Sequence, residues 1–330
     1  MLTLLLVSAV MSAAPQRKVI DEGGSGEFKA EAVSEKSLPG FVVYKPQNMA
    51  AAVKHEGALP LLVFANGGCN DTSLPHEKML SDLASYGYVV IALGEMQDRI
   101  DDRQLNKSPN EDMIRAIDWA EQQTKDKNSE YYRGIDMKYV ALGGQSCGGA
   151  QVLANCGDKR VKTCLMVNSG IGNIEMAGAT KEDLKKLHGP ILYMIGGEGD
   201  VAYRNAIVDY ANITDVPVAF ANQLRAGHGG TFNERFGGSF SEMARTWLGW
   251  QFKNQRQNID VFVRNNLTRF PDWTSVVEYF NHTYSRIRRH ISHHSFGTYI
   301  GYNNCNTRRR CCGHPYRYYF CGIRRILFAD

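Results

Sequence analysis

The sequence predicts an α/β fold in which a mostly parallel β-sheet carries helices on both faces. Three observations support this fold class. Short apolar runs alternate with amphipathic stretches along most of the 330-residue chain. The runs are almost continuously apolar, which is typical of strands buried on both faces of a parallel sheet. Neither an internal repeat nor a change of composition divides residues 15–281, so we expect a single domain there.

Seven apolar runs bounded by turn residues are the candidate strands. They are FVVYKP from Phe41, PLLVFANGG from Pro60, YVVIALG from Tyr88, KYVALGG from Lys138, CLMVNSG from Cys164, PILYMIGGEGD from Pro190 and PVAFANQL from Pro217. Helix-like stretches lie between the runs, as expected of a sheet built from strand–helix units.

Four stretches place apolar residues on one face of a helix. These faces comprise Met79, Leu80, Leu83 and Ala84; Met113, Ile114, Ile117 and Ala120; Ile207, Tyr210 and Ala211; and Met243, Trp247 and Trp250. Gly87 is a stop signal for the first helix. Ahead of the first strand, DEGGSGEF (residues 21–28) lacks the spacing of a phosphate-binding loop and is predicted to be a flexible linker.

The N-terminal sequence MLTLLLVSAVMSAAPQ predicts a secretory signal peptide over residues 1–14, cleaved after Ala14. Its apolar stretch is too short to span a bilayer, and no other segment approaches that length. We therefore expect a secreted or periplasmic protein with no membrane partner. The alternative is an apolar N-terminus that frays without being cleaved.

Charge is unevenly distributed along the chain. Residues 1–281 carry 29 basic and 33 acidic side chains, whereas residues 282–330 carry nine arginines, no lysine and one acid, Asp330. The mildly acidic body gives no reason to expect a nucleic-acid partner for the main domain. The tail has no helical or strand periodicity and is predicted to be poorly ordered. There are two alternatives for the tail. Its cysteines and His314 could bind zinc, or its arginines could bind an anionic polymer.

The stretch ALGGQSCGGAQ (residues 141–151) contains the pattern G-x-S-x-G, centred on Ser146. An apolar strand precedes the pattern and a helix-like stretch follows it, which is the context that this pattern requires. The turn exposes the serine hydroxyl above the sheet, and Gly144 and Gly148 let strand and helix approach without Cβ clashes. Ser146 is the candidate nucleophile, and an ordinary small-residue turn is the alternative.

A serine nucleophile needs a general base, and four histidines precede the tail. His55, His76 and His188 lie in polar or helix-end segments and are predicted to be solvated. His228 lies in RAGHGGTF, a loop after the last apolar run, where a base above a sheet edge is expected. His228 is therefore the candidate base.

The base needs a carboxylate that fixes its tautomer and stabilises the imidazolium. In this architecture the three residues follow the chain order Ser, Asp or Glu, His. The segment YMIGGEGDVAY, just past a strand, offers Glu198 and Asp200. Asp200 is the preferred candidate and Glu198 the alternative.

A tetrahedral intermediate also needs donors for its oxyanion. One is the N–H group of the residue after the nucleophile, here Cys147, and the other comes from a loop after an earlier strand. That loop is FANGGCN, in which Gly68 is the preferred donor and Cys69 the alternative.

These motifs together resemble a known family. The chain resembles the secreted α/β-hydrolases of the dienelactone-hydrolase, chlorophyllase-like and polyester-hydrolase-like (cutinase-like) group. The matching segments, in family order from about residue 25 to 281, are FANGGCNDTS, LASYGYVVIALG, AIDWA, GGQSCGGAQ, DKRVKTCLMVNSG, GGEGDVAYRNA, GHGGTF and WLGWQFK. The resemblance implies an eight-stranded, mostly parallel sheet and carboxylic-ester hydrolysis. It implies triad roles for Ser146, Asp200 and His228, with Gly68 and Cys147 as oxyanion donors.

The substrate is less well defined than the chemistry. Polyester-degrading relatives carry aromatic residues where this chain has Gly68 and, after the strand that follows the motif helix, Gly170 and Ile171. These differences argue against polyester. The short connection to Pro190 predicts no large lid, and an open site suits small esters or acetyl and feruloyl esters on polysaccharide.

We therefore expect a monomeric serine esterase that needs no cofactor and has its ester substrate as its partner. A polyester hydrolase, a lipase or peptidase on the same fold, and a non-catalytic binding protein are the alternatives.

Two cysteine pairs are candidates for disulfides in an exported protein. If the loops carrying Gly68 and Ser146 meet, Cys69 and Cys147 flank the oxyanion site and can form a bridge. Cys156 and Cys164 lie at a helix end and a strand start and form a second candidate pair. The alternative is small buried thiols.

Overall fold

The structure, a computed structural model, describes residues 16–99 and 105–278 of the 330-residue chain. The predicted signal peptide over residues 1–14 and the predicted tail over residues 282–330 both lie outside the described residues.

The described residues contain one ten-stranded sheet. In chain order its strands are β1 (Arg17–Lys18), β2 (Ala30–Val33), β3 (Phe41–Pro46), β4 (Leu59–Ala65), β5 (Val89–Leu93), β6 (Ile135–Gln145), β7 (Val161–Val167), β8 (Ile191–Ile195), β9 (Val218–Gln223) and β10 (Trp273–Glu278). Their order in the sheet is β1-β2-β3-β5-β4-β6-β7-β8-β9-β10. The six strands from β5 to β9 pair in parallel, and antiparallel strands flank them on both sides.

The predicted α/β class with a mostly parallel sheet is confirmed, but the expected number of eight strands is wrong. Each of the seven apolar runs contains a strand, from β3 to β9. The strands missed are β1, β2 and β10. Strand β1 has only two residues, and the short mixed sequences AEAV and WTSVVE of β2 and β10 lack a continuous apolar run.

Seven helices accompany the sheet in the described part of the chain. They are α1 (Met49–Glu56), α2 (Glu77–Ser85), α3 (Glu111–Lys125), α4 (Cys147–Asn155), α5 (Tyr203–Asn212), α6 (Gly238–Phe252) and α7 (Ile259–Val263). Alternate strand residues face opposite sides of the sheet, so Val63 joins one core with α1, α3, α4 and α5. Phe64 joins a second core with α2, α6 and α7. Helices therefore cover both faces of the sheet.

The predicted apolar face of α5 is wrong. Ala206 and Asp209 are buried, while Ile207 and Tyr210 are only partly buried and Ala211 is exposed. The cause is the carboxylate of Asp209, which accepts hydrogen bonds from backbone N–H groups of the loop after β7. These hydrogen bonds stabilise Asp209 in a buried position. A pattern of apolar residues cannot reveal a polar residue that is buried in this way.

The segment DEGGSGEF is not a free linker, so that prediction is also wrong. Ser25 donates from its backbone N–H and its hydroxyl to the buried carboxylate of Asp82 on α2. A Cβ atom on Gly26 would lie 2.3 Å from the carbonyl oxygen of Ser85. The glycines therefore let this segment lie directly against α2.

The parallel strands bring four loops to one edge of the sheet. Ser146 follows β6 immediately, Asn168 follows β7 immediately, and Asp200 and His228 follow β8 and β9 after short loops. The carboxyl ends of neighbouring parallel strands lie side by side, and ligand sites of open α/β sheets occur at that edge. The fold therefore brings three of the sequence-predicted site residues close together.

Candidate functional site

Ser146 occupies a sharp turn between β6 and α4. Its backbone dihedrals are φ +53° and ψ −119°, a conformation that costs a non-glycine residue about 1–3 kcal/mol. Its N–H donates to the carbonyl of Val167 (3.0 Å), and its carbonyl accepts from the hydroxyl of Ser169 (2.6 Å). A Cβ atom on Gly148 would lie 2.2 Å from the carbonyl oxygen of Ala65. The turn therefore depends on glycine where helix and strand meet.

The structure brings Ser146, His228 and Asp200 together in one hydrogen-bonded chain. Oγ of Ser146 lies 2.9 Å from Nε2 of His228. Nδ1 of His228 lies 2.7 Å from Oδ1 of Asp200. With the carboxylate ionised, Nδ1 carries the proton and Nε2 is free to accept one from the serine hydroxyl.

Asp200 is buried and has several hydrogen-bond donors. Burial raises the pKa of its carboxyl, but hydrogen bonds from His228, the Ala202 N–H, Asn168 and the Gly196 N–H outweigh burial and hold that pKa below its ordinary value. The carboxylate is therefore ionised at neutral pH. The alternative acid, Glu198, is exposed. The carboxylate in contact with His228 is that of Asp200.

The loop that carries His228 is held by two side chains that the sequence did not indicate. Nε2 of Gln145 donates to the carbonyl of His228 (3.1 Å). Nδ2 of Asn168 donates to Oδ2 of Asp200 (2.7 Å) and to the carbonyl of Gly227 (3.0 Å). Only the positions of Gln145 and Asn168 could have indicated this role in the sequence. Both are polar residues at the carboxyl ends of apolar strands.

A disulfide joins Cys69 to Cys147 with a Cα–Cα separation of 5.1 Å, so the predicted bridge is confirmed. Cys69 ends the 3₁₀ turn Gly67–Cys69 after β4, and Cys147 is the first residue of α4. The bridge fixes the loop after β4 against the turn that contains Ser146. The two segments that carry the candidate oxyanion donors are therefore adjacent.

The two candidate oxyanion donors lie at the start of α4 and in the turn after β4. The first N–H groups of a helix have no partner within it, which applies to Cys147. Gly68 has a non-helical backbone conformation with φ +64°. The N–H of Cys69 instead donates to the carbonyl of Asn66 (3.1 Å), which favours Gly68 over Cys69. Nζ of Lys107 donates to the Gly68 carbonyl (2.5 Å).

His76 is buried, so its predicted solvation is wrong, whereas His55 and His188 are exposed. The imidazole ring of His76 packs against the rings of Phe64 and Phe232. Burial lowers the pKa of His76 to about 4, and a hydrogen bond with the Gln145 side chain acts in the opposite direction. His76 is thus neutral near pH 7.

Cys156 and Cys164 are free, buried thiols, so the second candidate disulfide is wrong. Burial raises the pKa of Cys156 to about 12 and raises the pKa of Cys164 as well. Because the thiolate is the reactive form, both groups are inert at neutral pH.

The loop after β7 carries Gly170 and Ile171, and neither is aromatic. A Cβ atom on Gly170 would lie 2.3 Å from the backbone nitrogen of Ala206, and Ile171 is fully buried. Asp209 holds this loop by accepting from the N–H groups of Ile171 and Gly172 (both 2.7 Å). Close packing against α5 leaves no space for a larger side chain at Gly170.

Residues 16–99 and 105–278 contain neither a candidate membrane span nor a candidate metal cluster. No helix there has the length and apolar character needed to cross a bilayer. No group of three or more His, Cys, Asp or Glu side chains there is arranged to hold a metal ion. Comparison of the chain with protein-family models and with curated proteins finds no match.

Proposed function

We propose that the protein is a serine carboxylic-ester hydrolase with the α/β-hydrolase fold, acting through an acyl-enzyme. The observation that carries the proposal is the chain of hydrogen bonds from Ser146 Oγ to His228 Nε2 and from His228 Nδ1 to Asp200 Oδ1. The positive φ of Ser146 supports it, since a strained strand–turn–helix serine is the nucleophile of this fold. The chain order Ser, Asp, His supports it further.

In the acylation half-reaction, Oγ of Ser146 attacks the ester carbonyl carbon while its proton passes to Nε2 of His228. The carbonyl π electrons move to oxygen, and the resulting oxyanion accepts hydrogen bonds from the N–H groups of Gly68 and Cys147. When the intermediate collapses, the C–O bond to the alcohol breaks and His228 protonates the departing alkoxide. The acyl group remains on Ser146, and Asp200 stabilises the imidazolium throughout.

Deacylation repeats these steps with water. His228 removes a proton from a water molecule, which attacks the acyl carbon. The second oxyanion collapses with loss of Ser146 Oγ, which recovers a proton from His228, and the carboxylic acid leaves. Each oxyanion donor contributes roughly 2.7–4 kcal/mol of transition-state stabilisation in enzymes of this kind.

The surroundings of the triad support small esters or ester groups exposed on a polymer as substrates. The His228 side chain is about one-third exposed, so the base is accessible from solvent. Gly68, Gly170 and Ile171 provide no aromatic clamp for an aromatic acid. The Cys69–Cys147 disulfide is typical of oxidising compartments and supports a secreted or periplasmic location.

Labelling with a fluorophosphonate tests the assignment of the nucleophile. We expect one adduct, which peptide mapping assigns to Ser146, and no adduct in Ser146→Ala. Ser129→Ala, which removes a hydroxyl in the connection between α3 and β6 that donates to the side chain of Gln123, is the matched control and should still label. A panel from p-nitrophenyl acetate to long acyl chains, acetylated xylan, feruloyl esters and polyester film then defines the substrate. Wild-type protein that takes no label at Ser146 would overturn the proposal.

A further inference from the structure

Two side-chain carboxamides hold the backbone on either side of the His228 side chain. Nδ2 of Asn168 donates to the carbonyl of Gly227 (3.0 Å), which belongs to the peptide group before His228. Nε2 of Gln145 donates to the carbonyl of His228 (3.1 Å), which belongs to the peptide group after it. The two peptide groups that orient the Cα–Cβ bond of His228 are therefore both fixed by side chains.

The loop around His228 has little packing of its own. Gly227 and Gly229 flank the histidine, and an added Cβ atom at either position would have no neighbour within 4 Å. A backbone hydrogen bond from the Gly227 N–H to the Gly196 carbonyl (2.7 Å) anchors the start of the loop. The Gly227 carbonyl also accepts from the Gly230 N–H (3.2 Å). Glycine-rich backbone has high conformational freedom, so the hydrogen bonds to this loop help to set the position of the imidazole.

Both carboxamides extend from rigid elements. Gln145 is the last residue of β6, and Asn168 directly follows β7, with 7% and 0% of their surfaces exposed. The second acceptor of Asn168 Nδ2 is the Asp200 carboxylate (2.7 Å). Because both partners of this nitrogen are acceptors, the orientation of the amide is fixed by chemistry. Asn168 thus joins the loop of the base to the acid.

We propose that Asn168 and Gln145 are positioning residues that keep Nε2 of His228 within hydrogen-bond distance of Ser146. This inference depends on the proposed serine-hydrolase function. Neither carboxamide acts on substrate. Each keeps the imidazole in the orientation that proton transfer requires, and a displacement of about 1 Å at a reacting group can cost about 100-fold in rate.

The test uses Asn168→Gly and Gln145→Met. Glycine removes the carboxamide without strain, because Asn168 has φ +44°. Methionine keeps the length of the Gln145 side chain and removes its donor. Each variant should lower kcat by about 10–100-fold, the order of loss expected when a reacting group is displaced by up to about 1 Å. KM should change less than about threefold, because no substrate contact is lost.

Asn258→Ala is the matched control. Asn258 is also buried, and its Nδ2 donates to the carbonyl of Thr246 (3.0 Å), away from the triad. This variant reports the effect of losing a buried carboxamide on stability alone. We expect its kcat to stay within about twofold of the wild-type value, the small change expected for a site that shares no partners with the triad.

Two further readouts do not depend on turnover. Hydrogen–deuterium exchange over residues 226–232 should be faster in Asn168→Gly and Gln145→Met than in wild type and Asn258→Ala. The NMR signal of the His228 Nδ1 proton should weaken or shift in the first two variants only. Wild-type kcat, exchange and Nδ1 signal in both variants would overturn the inference. Failure of the wild type to hydrolyse any ester would refute the proposed function instead, while exchange and NMR would still decide the role of the two carboxamides.

Discussion

The disulfide between Cys69 and Cys147 joins the loop after β4 to the residue that directly follows Ser146. The backbone N–H group of Cys147 and that of Gly68, the neighbour of Cys69, are the proposed oxyanion donors. One covalent bond thus holds together the two backbone segments that bind a single oxygen atom in the proposed mechanism. Preorganised donors of this kind stabilise a transition state because they need not reorient during the reaction.

Removal of this disulfide should lower both stability and kcat. The bridge closes a loop with a sequence separation of 78, and loss of such a bond typically costs about 2–4 kcal/mol of unfolding free energy. In the variant Cys69→Ser/Cys147→Ser we expect a lower melting temperature and a kcat reduced by about 10–100-fold, because the oxyanion donors lose their fixed spacing. Thermal melts and ester kinetics measure both.

A reductant provides the control for this prediction. Reduction should lower the melting temperature and kcat of the wild type as the double substitution does. It should change neither quantity in the double-serine variant. Alkylation of the unreduced, unfolded protein should leave Cys69 and Cys147 unlabelled. Label on both cysteines without reductant would show that the bond is absent.

Substitution of Asp200 should lower kcat far more than substitution of Glu198. Asp200→Asn removes the charge that stabilises the His228 imidazolium and permits the wrong tautomer, so kcat should fall by about 10⁴-fold. Glu198→Gln, in the same loop but exposed, should change kcat by less than about twofold. Comparable losses in the two variants would contradict the assignment of Asp200. Steady-state ester hydrolysis measures both.

His76 should make stability fall as the solution becomes acidic. Its pKa is about 4 in the folded protein against about 6.5 when unfolded, so the folded state resists protonation. The stability that this group contributes is complete above about pH 6.5 and is lost as the pH falls through about 4. Between about pH 7 and pH 4 the loss amounts to about 3 kcal/mol.

His76→Gln removes this titration. Urea unfolding at the two pH values should show a fall in unfolding free energy about 3 kcal/mol smaller in the variant than in the wild type. Asp209, whose pKa is raised to about 6 chiefly by burial, has the opposite pH dependence, and its contribution cancels in the comparison. Parallel pH dependence in the two proteins would mean that His76 titrates normally.

Two glycines near the triad should respond differently to alanine. Gly148→Ala places a Cβ atom 2.2 Å from the carbonyl oxygen of Ala65, and backbone cannot move aside cheaply. It should destabilise the protein by at least about 2 kcal/mol and impair hydrolysis. Gly199→Ala, where an added Cβ meets nothing within 4 Å, should change stability by less than about 0.5 kcal/mol. Equal effects on denaturant unfolding would contradict the packing at Gly148.

The sequence predicted those parts of the molecule that depend on local patterns. Apolar runs located all seven strands from β3 to β9, and G-x-S-x-G with its flanking strand and helix indicated the turn at Ser146. The position of Asp200 and His228 in loops after apolar strands indicated them as candidates. The structure places them within hydrogen-bond distance of each other.

What the sequence could not reveal depends on contacts between distant segments. Asn168 and Gln145 donate hydrogen bonds to acceptors 59 and 83 positions away. His76 is buried by Phe64 and Phe232, and Asp209 points inward because of a loop near Ile171. In each case a polar residue is buried by partners that only the folded chain brings near, so neither periodicity nor composition can indicate it.

The most direct test of the central claim is hydrolysis of p-nitrophenyl acetate by wild type and by Ser146→Ala, with mass spectrometry of the quenched wild-type reaction. We predict turnover by the wild type, an acetyl group on the peptide that contains Ser146, and loss of turnover in the variant by a factor on the order of 10⁴ or more. Undiminished turnover by Ser146→Ala, or an acetyl group on another residue with none on Ser146, would contradict the account.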